Sequence, residues 1–117
     1  MSDLAAVGTD NFENEVLQAD GTVVVDFWAQ WCGPCLALTP VLEKVAGEFN
    51  GQLKVVKCNV DDNQEIAIKY GVRGIPNLIF FRNGQVIAQA VGFMDAATLS
   101  AKVSAALAAG RPIASAR

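Results

Sequence analysis

The sequence contains no histidine and only three cysteines among its 117 residues. Without histidine, every mechanism that runs on an imidazole acid or base is excluded outright. Three cysteines are too few, and odd in number, for a disulfide scaffold, and their sparsity fits a reducing compartment. They also fall one short of a closed tetrahedral zinc site, so a metal would need a carboxylate or a second chain. Charge is thin as well. Nine basic residues against twelve acidic ones leave a net charge of −3. The charges are scattered without a basic run, which disfavours nucleic acid and anionic membranes as partners. No apolar run approaches a membrane span. The opening Met1-Ser2-Asp3-Leu4 lacks the basic and apolar regions of a signal peptide, so a cytoplasmic location is expected.

What remains is an ordinary globular composition, 52% apolar and 18% charged, in a length that suits one domain with a real core. The run Val23-Val24-Val25-Asp26-Phe27-Trp28 predicts a buried strand. It hands over through a short turn to a helical pattern of Leu38, Val41, Leu42, Val45, Ala46 and Phe49. Pro34 falls in the first turn of that helix, Pro40 lies inside it and should kink it, and Asn50-Gly51 should end it. Before this unit, Leu4–Val7 suggests a short edge strand. Asp10 and Glu13 have capping-box spacing for a helix carrying Phe12, Val16 and Leu17. After it come a strand at Leu53–Val60, a short helix with Ile66, Ala67 and Tyr70 closed by Gly71, and a loop through Ile75-Pro76. A hairpin with an Asn83-Gly84 turn follows, then a last helix capped by Asp95 with Leu99, Val103, Ala106 and Leu107 inward. The order β-α-β-α-β-α-β-β-α predicts an α/β fold with a largely parallel sheet covered on both faces and an antiparallel hairpin. Residues 1–107 read as the domain and 108–117 as a frayed tail.

The chemistry concentrates where the first long strand meets its helix. Cys32 and Cys35 stand at i, i+3, within disulfide reach. A Cys-x-x-Cys alone is a weak signal, as consistent with half a zinc site or two small buried hydrophobes as with redox chemistry. Its position sharpens it. A helix N-terminus stabilises a thiolate, so Cys32 is expected to be at least partly exposed and nucleophilic, and Cys35 more shielded. Cys32 would attack a substrate disulfide, and Cys35 would resolve the mixed disulfide. Asp26 interrupts a strand otherwise apolar. If buried, its pKa should be raised, and it could accept the proton of Cys35 through a water; an exposed or salt-bridged Asp26 is the alternative. Lys57 on the next strand is the natural group to tune it, or else an ordinary surface lysine. Cys58 reads as a small buried hydrophobe. Trp28 reads as packing, and Trp31 as a cover for the cysteines or a partner contact. Residue types alone do not mark Ile75-Pro76 as cis.

Trp31-Cys32-Gly33-Pro34-Cys35 is identical to the active-site signature of the thioredoxin family. Val25–Ala29, Pro40, Lys57–Asp61, Tyr70–Leu78, Phe81–Gly84 and Val91-Gly92 resemble further family segments in the same order, leaving only the tail after about Leu107 uncovered. That resemblance implies the thioredoxin fold, with a central mixed five-stranded sheet flanked by four helices on both faces. It implies a general protein-disulfide reductase with no bound cofactor beyond the redox-active Cys32–Cys35 disulfide and no metal. It further implies a cis Pro76 set against the cysteines, and a substrate groove formed with Trp31, Gly33, Pro34, Gly74, Ile75 and Gly92. The implied partners are a thioredoxin reductase, either an NADPH-dependent flavoprotein or a ferredoxin-linked enzyme, and disulfide-bearing proteins such as ribonucleotide reductase, peroxiredoxins and methionine sulfoxide reductases, met by a monomer. The Gly-Pro pair between the cysteines is that of reductases, since oxidases and isomerases of this fold usually place a histidine there. Leu36 and Phe93 depart from the family pattern near the expected contact surface. Two other readings compete: a binding module in which the cysteines are incidental, and a zinc or iron–sulfur site pooled between two chains.

Overall fold

The computed structural model describes residues 4–109. The valine run does form a strand, β2 (Thr22–Trp28), whose first six residues are fully buried. It can be apolar on both sides because it lies at the centre of a five-stranded sheet of order β1-β3-β2-β4-β5. β1 (Ala5–Ala6) is the short edge strand and runs parallel to β3 (Leu53–Asn59), which in turn runs parallel to β2. On the other side, β2 pairs antiparallel with β4 (Asn77–Arg82), and β4 with β5 (Gln85–Val91). Asn83 and Gly84, both at positive φ (52° and 78°), make the tight hairpin turn that their sequence predicts.

Among the described residues, four helices complete the fold. A π-type helix, Glu13–Leu17, precedes β2; α1 spans Gly33–Glu48, α2 Gln64–Lys69 and α3 Ala96–Ala109. The strand alternation sends Val24, Val55, Leu78 and Phe80 to one face, where they pack with Leu38, Leu42 and Val45 of α1 and Leu99, Val103 and Ala106 of α3. Val23, Val25, Phe27, Val56, Cys58, Ile79 and Phe81 line the other face with Phe12 and Val16. Capping follows the sequence in places. Asp95 Oδ1 accepts from the Thr98 amide at 2.8 Å. α2 ends on Gly71 (φ +68°), with the Val72 amide bonded to the Ala67 carbonyl and the Gly71 amide to that of Ile68, a Schellman closure.

The expected capping box of Asp10 and Glu13 does not form. Phe12 occupies the cap position with no side-chain bond. Asn11 Oδ1 instead accepts from the Gly8 amide at 2.8 Å, and Glu13 accepts from Gln18. Asn63 caps α2 by position only, because its amide is drawn away to the Thr9 amide and the Asn59 carbonyl. Pro40 lies inside α1, as expected, and the helix runs on to Glu48. At the other end of the chain α3 includes Ala108 and Ala109, and residues 110–117 of the expected tail lie outside the described part.

Candidate active site

β2 carries the chain to Trp28, and Cys32 is the N-cap of α1, with extended backbone (φ −92°, ψ 104°) and Pro34 in the first turn. Its sulfur accepts a hydrogen bond from the Cys35 amide at 3.2 Å, one of the donors a helix start leaves without a partner. The two sulfurs are joined as a disulfide, with Cα atoms 5.2 Å apart. The same amide that holds the disulfide sulfur would hold a thiolate at Cys32 after reduction, reinforced by the helix dipole.

Access to the pair is narrower than the sequence suggests. Cys35 is wholly enclosed and Cys32 retains only 5% of its surface, so the expected partial exposure of Cys32 is corrected to a sliver. The cause is long-range packing: Ala29, Trp28, Val60 and Ile75 close around the sulfurs. The Ile75–Pro76 peptide is cis, and the Ile75 carbonyl oxygen lies 3.8 Å from Cys32 Sγ. The Pro76 carbonyl is taken by the Gly92 amide at 2.8 Å, with Gly92 at φ +96°, a conformation glycine adopts freely. Pro76 is buried and Ile75 and Gly92 are half-buried, whereas Gly33, Pro34 and Gly74 are exposed. The structure therefore brings Cys32, Cys35, Ile75, Pro76 and Gly92 together at one end of the sheet.

Trp31 is 71% exposed, yet it is not free: its indole N–H donates to Asp61 Oδ2 at 2.9 Å. Asp61 is not marked for this bond by its neighbours in sequence, because a contact across thirty positions leaves no local signal. Leu36, Val91 and Phe93 add exposed apolar surface.

Asp26 lies on β2 with no exposed surface, and neither carboxylate oxygen has a hydrogen-bond partner among the described residues. Removal from water pushes its pKa up from 3.8 to about 7, although the Lys57 ammonium pulls the other way. Lys57 sits opposite Asp26 in the β2–β3 register and is itself buried. Its Nζ donates to Thr39 Oγ1 at 3.2 Å and stands 4.1 Å from the centre of the Trp28 ring. Neither contact is legible from sequence. Cys58 is buried on the opposite face, and burial, with the Asp26 charge second, raises its thiol to about 11. Among the described residues, no group of three or more Cys, Asp or Glu side chains is placed to hold a metal ion.

A family model described as Thioredoxin matches residues 3–105. A thioredoxin of Pseudomonas aeruginosa is 52% identical over 95 residues, spanning 81% of this chain and 88% of that protein. "Thioredoxin 1" of a Nostoc species is 46% identical over 100 residues, 86% of this chain and 94% of the relative. A thioredoxin of Haemophilus influenzae is 45% identical with the same coverage.

Proposed function

The chain belongs to the thioredoxin family and is a protein-disulfide reductase working by dithiol–disulfide exchange; from that premise we propose how its residues divide the work. In the reduced protein the Cys32 thiolate attacks one sulfur of a substrate disulfide. A Cys32–substrate disulfide forms and the other substrate sulfur leaves as a thiolate. Cys35, one helical turn deeper, loses its proton and attacks Cys32 Sγ. This releases the second substrate thiolate and leaves the Cys32–Cys35 disulfide seen here. Two electrons pass to the substrate, and a reductase must return them. The observation that carries this assignment is the asymmetry of the pair: Cys32 is the cap and keeps the only accessible surface, while Cys35 keeps none.

Asp26 is the acceptor for the Cys35 proton, which reaches it through a water. Its burial supports that role, because a carboxyl poised near neutrality can both take and return a proton, which an ordinary one cannot. Lys57 sets how readily it ionises. The substrate strand lies along Ile75, against Pro76, Gly74 and Gly92, with Trp31, Gly33 and Pro34 forming the opposite wall. Exposed backbone beside Ile75 favours main-chain pairing, which asks little of the substrate sequence.

The partners follow from the family. Recycling falls to a thioredoxin reductase, either NADPH–flavin or ferredoxin-linked. Ribonucleotide reductase, peroxiredoxins and methionine sulfoxide reductases are the substrates we propose, met by a monomer without a bound cofactor or metal. No helix among the described residues is long and apolar enough to cross a membrane. The cytoplasm is the proposed site of action, supported by the sparse cysteines. The test is a pair of variants. Cys32→Ser should abolish reduction of a protein disulfide, and Cys35→Ser should accumulate a mixed disulfide of defined mass. Trapping by Cys32→Ser instead would reverse the two roles.

A further inference from the structure

Lys57 and Asp26 face each other across the β2–β3 register, yet among the described residues the carboxylate has no hydrogen-bond partner and the ammonium donates to Thr39. What diverts it is Thr39. An ammonium has no lone pair, so in the 3.2 Å contact Lys57 must donate and Thr39 Oγ1 must accept. The single hydroxyl proton of Thr39 is then committed to the carbonyl of Cys35, 3.4 Å away and one turn back along α1. The Trp28 ring, 4.1 Å from the ammonium, closes the other side. The cation is thus held between the helix that bears the disulfide and an indole face.

We propose that Thr39 is a positioning residue for the exchange reaction: by anchoring Lys57 to the Cys35 turn of α1, it keeps the ammonium from pairing with Asp26 and so leaves that carboxyl able to carry a proton at neutral pH. The inference rests on the assignment of Asp26 as proton acceptor. The charges around Asp26 are few. Lys57 comes from β3 and Cys58 from the far side of β3, β4 offers Leu78 at the paired position, and the Cys32–Cys35 disulfide carries no charge. Lys57 is the one cation among these, so freeing it has one direction of effect. The carboxylate gains a closer positive charge and Asp26 titrates at lower pH.

The experiment follows the Asp26 carboxyl carbon by NMR titration in the oxidised protein, alongside the pH dependence of insulin-disulfide reduction. Thr39→Val keeps the shape and removes the hydroxyl; Thr39→Ser restores it. Thr39→Val should lower the Asp26 midpoint by about one pH unit, and Thr39→Ser should leave it near that of the parent. In a Lys57→Met background, Thr39→Val should move the midpoint no further, because the effect runs through the ammonium. An unmoved midpoint in a folded Thr39→Val protein, or an equal shift without Lys57, would overturn the inference. A midpoint that moves while the pH–rate profile stays fixed would support Thr39 as the anchor and overturn Asp26 as the proton acceptor.

Discussion

On one face of the sheet, Phe12, Tyr70 and Phe81 meet ring to ring with centroids 5.2 to 5.7 Å apart, and the titratable Cys58 is held there as a neutral thiol. On the other face, the same central strand turns Asp26 toward α1, beside a buried Lys57. Both faces bury aliphatic side chains, more of them on the α1 side, and both are closed by helices. The difference that bears on the chemistry lies at the end where α1 begins and the disulfide sits. The buried carboxyl there is a standing cost to stability, because burial removes it from bulk water. The aromatic face carries no such cost. Stability is conceded on the side where the chemistry is done.

The largest effect expected from breaking this contrast is on the aromatic face. Phe81→Ala should cost about 3–5 kcal/mol in denaturant unfolding while leaving the Asp26 midpoint in place. A shifted midpoint would show that the faces are coupled. Asp26→Ala should act with the opposite sign. The folded carboxyl holds its proton to about pH 7, whereas 3.8 is its ordinary value. As pH rises between those two values, the unfolded chain releases a proton that the folded chain retains, so stability falls and then levels off. Removing the carboxyl should therefore stabilise the protein at pH 8 by roughly 2–4 kcal/mol after a small cavity loss, and not at pH 3.5. Equal gains at both pH values would mean that ionisation is not the cause. A smaller change is expected from Lys57→Met, which removes the one favourable charge and should raise the Asp26 midpoint by about one pH unit. Last, Cys58 in the reduced native protein should resist iodoacetamide at pH 8 while Cys32 is alkylated, and should react only in denaturant. Mass spectrometry of the modified peptides decides this.

Local signals carried most of the fold. The valine run, the i, i+3, i+4 pattern of α1, the Asn83-Gly84 turn and the Asp95 cap all act over a few residues, and the structure honours them. The Cys32–Cys35 pair was legible for the same reason, since cap, turn and spacing lie within one stretch. The misses share the opposite character. Cys32 is nearly closed over because Val60 and Ile75 arrive from distant segments. The Asp10–Glu13 box lost to Asn11, whose side chain reaches the Gly8 amide. Trp31–Asp61 and Lys57–Thr39 join residues that no periodicity relates. The cis Ile75–Pro76 bond was legible only through family resemblance, because the residue pair itself is ordinary.

The strand order has a consequence in time. β2 lies between β3 and β4, both of which follow it in the chain, and the cysteines come just after β2, at the start of α1. During synthesis, Cys32 and Cys35 therefore leave the ribosome before Lys57 and well before Ile75–Pro76. Until β4 has been made and laid against β2, the sheet around Asp26 is open on one side and no loop shelters the sulfurs. The nascent chain carries two unremarkable peptide thiols. Their redox character arrives late and together, when the most distant pairings close.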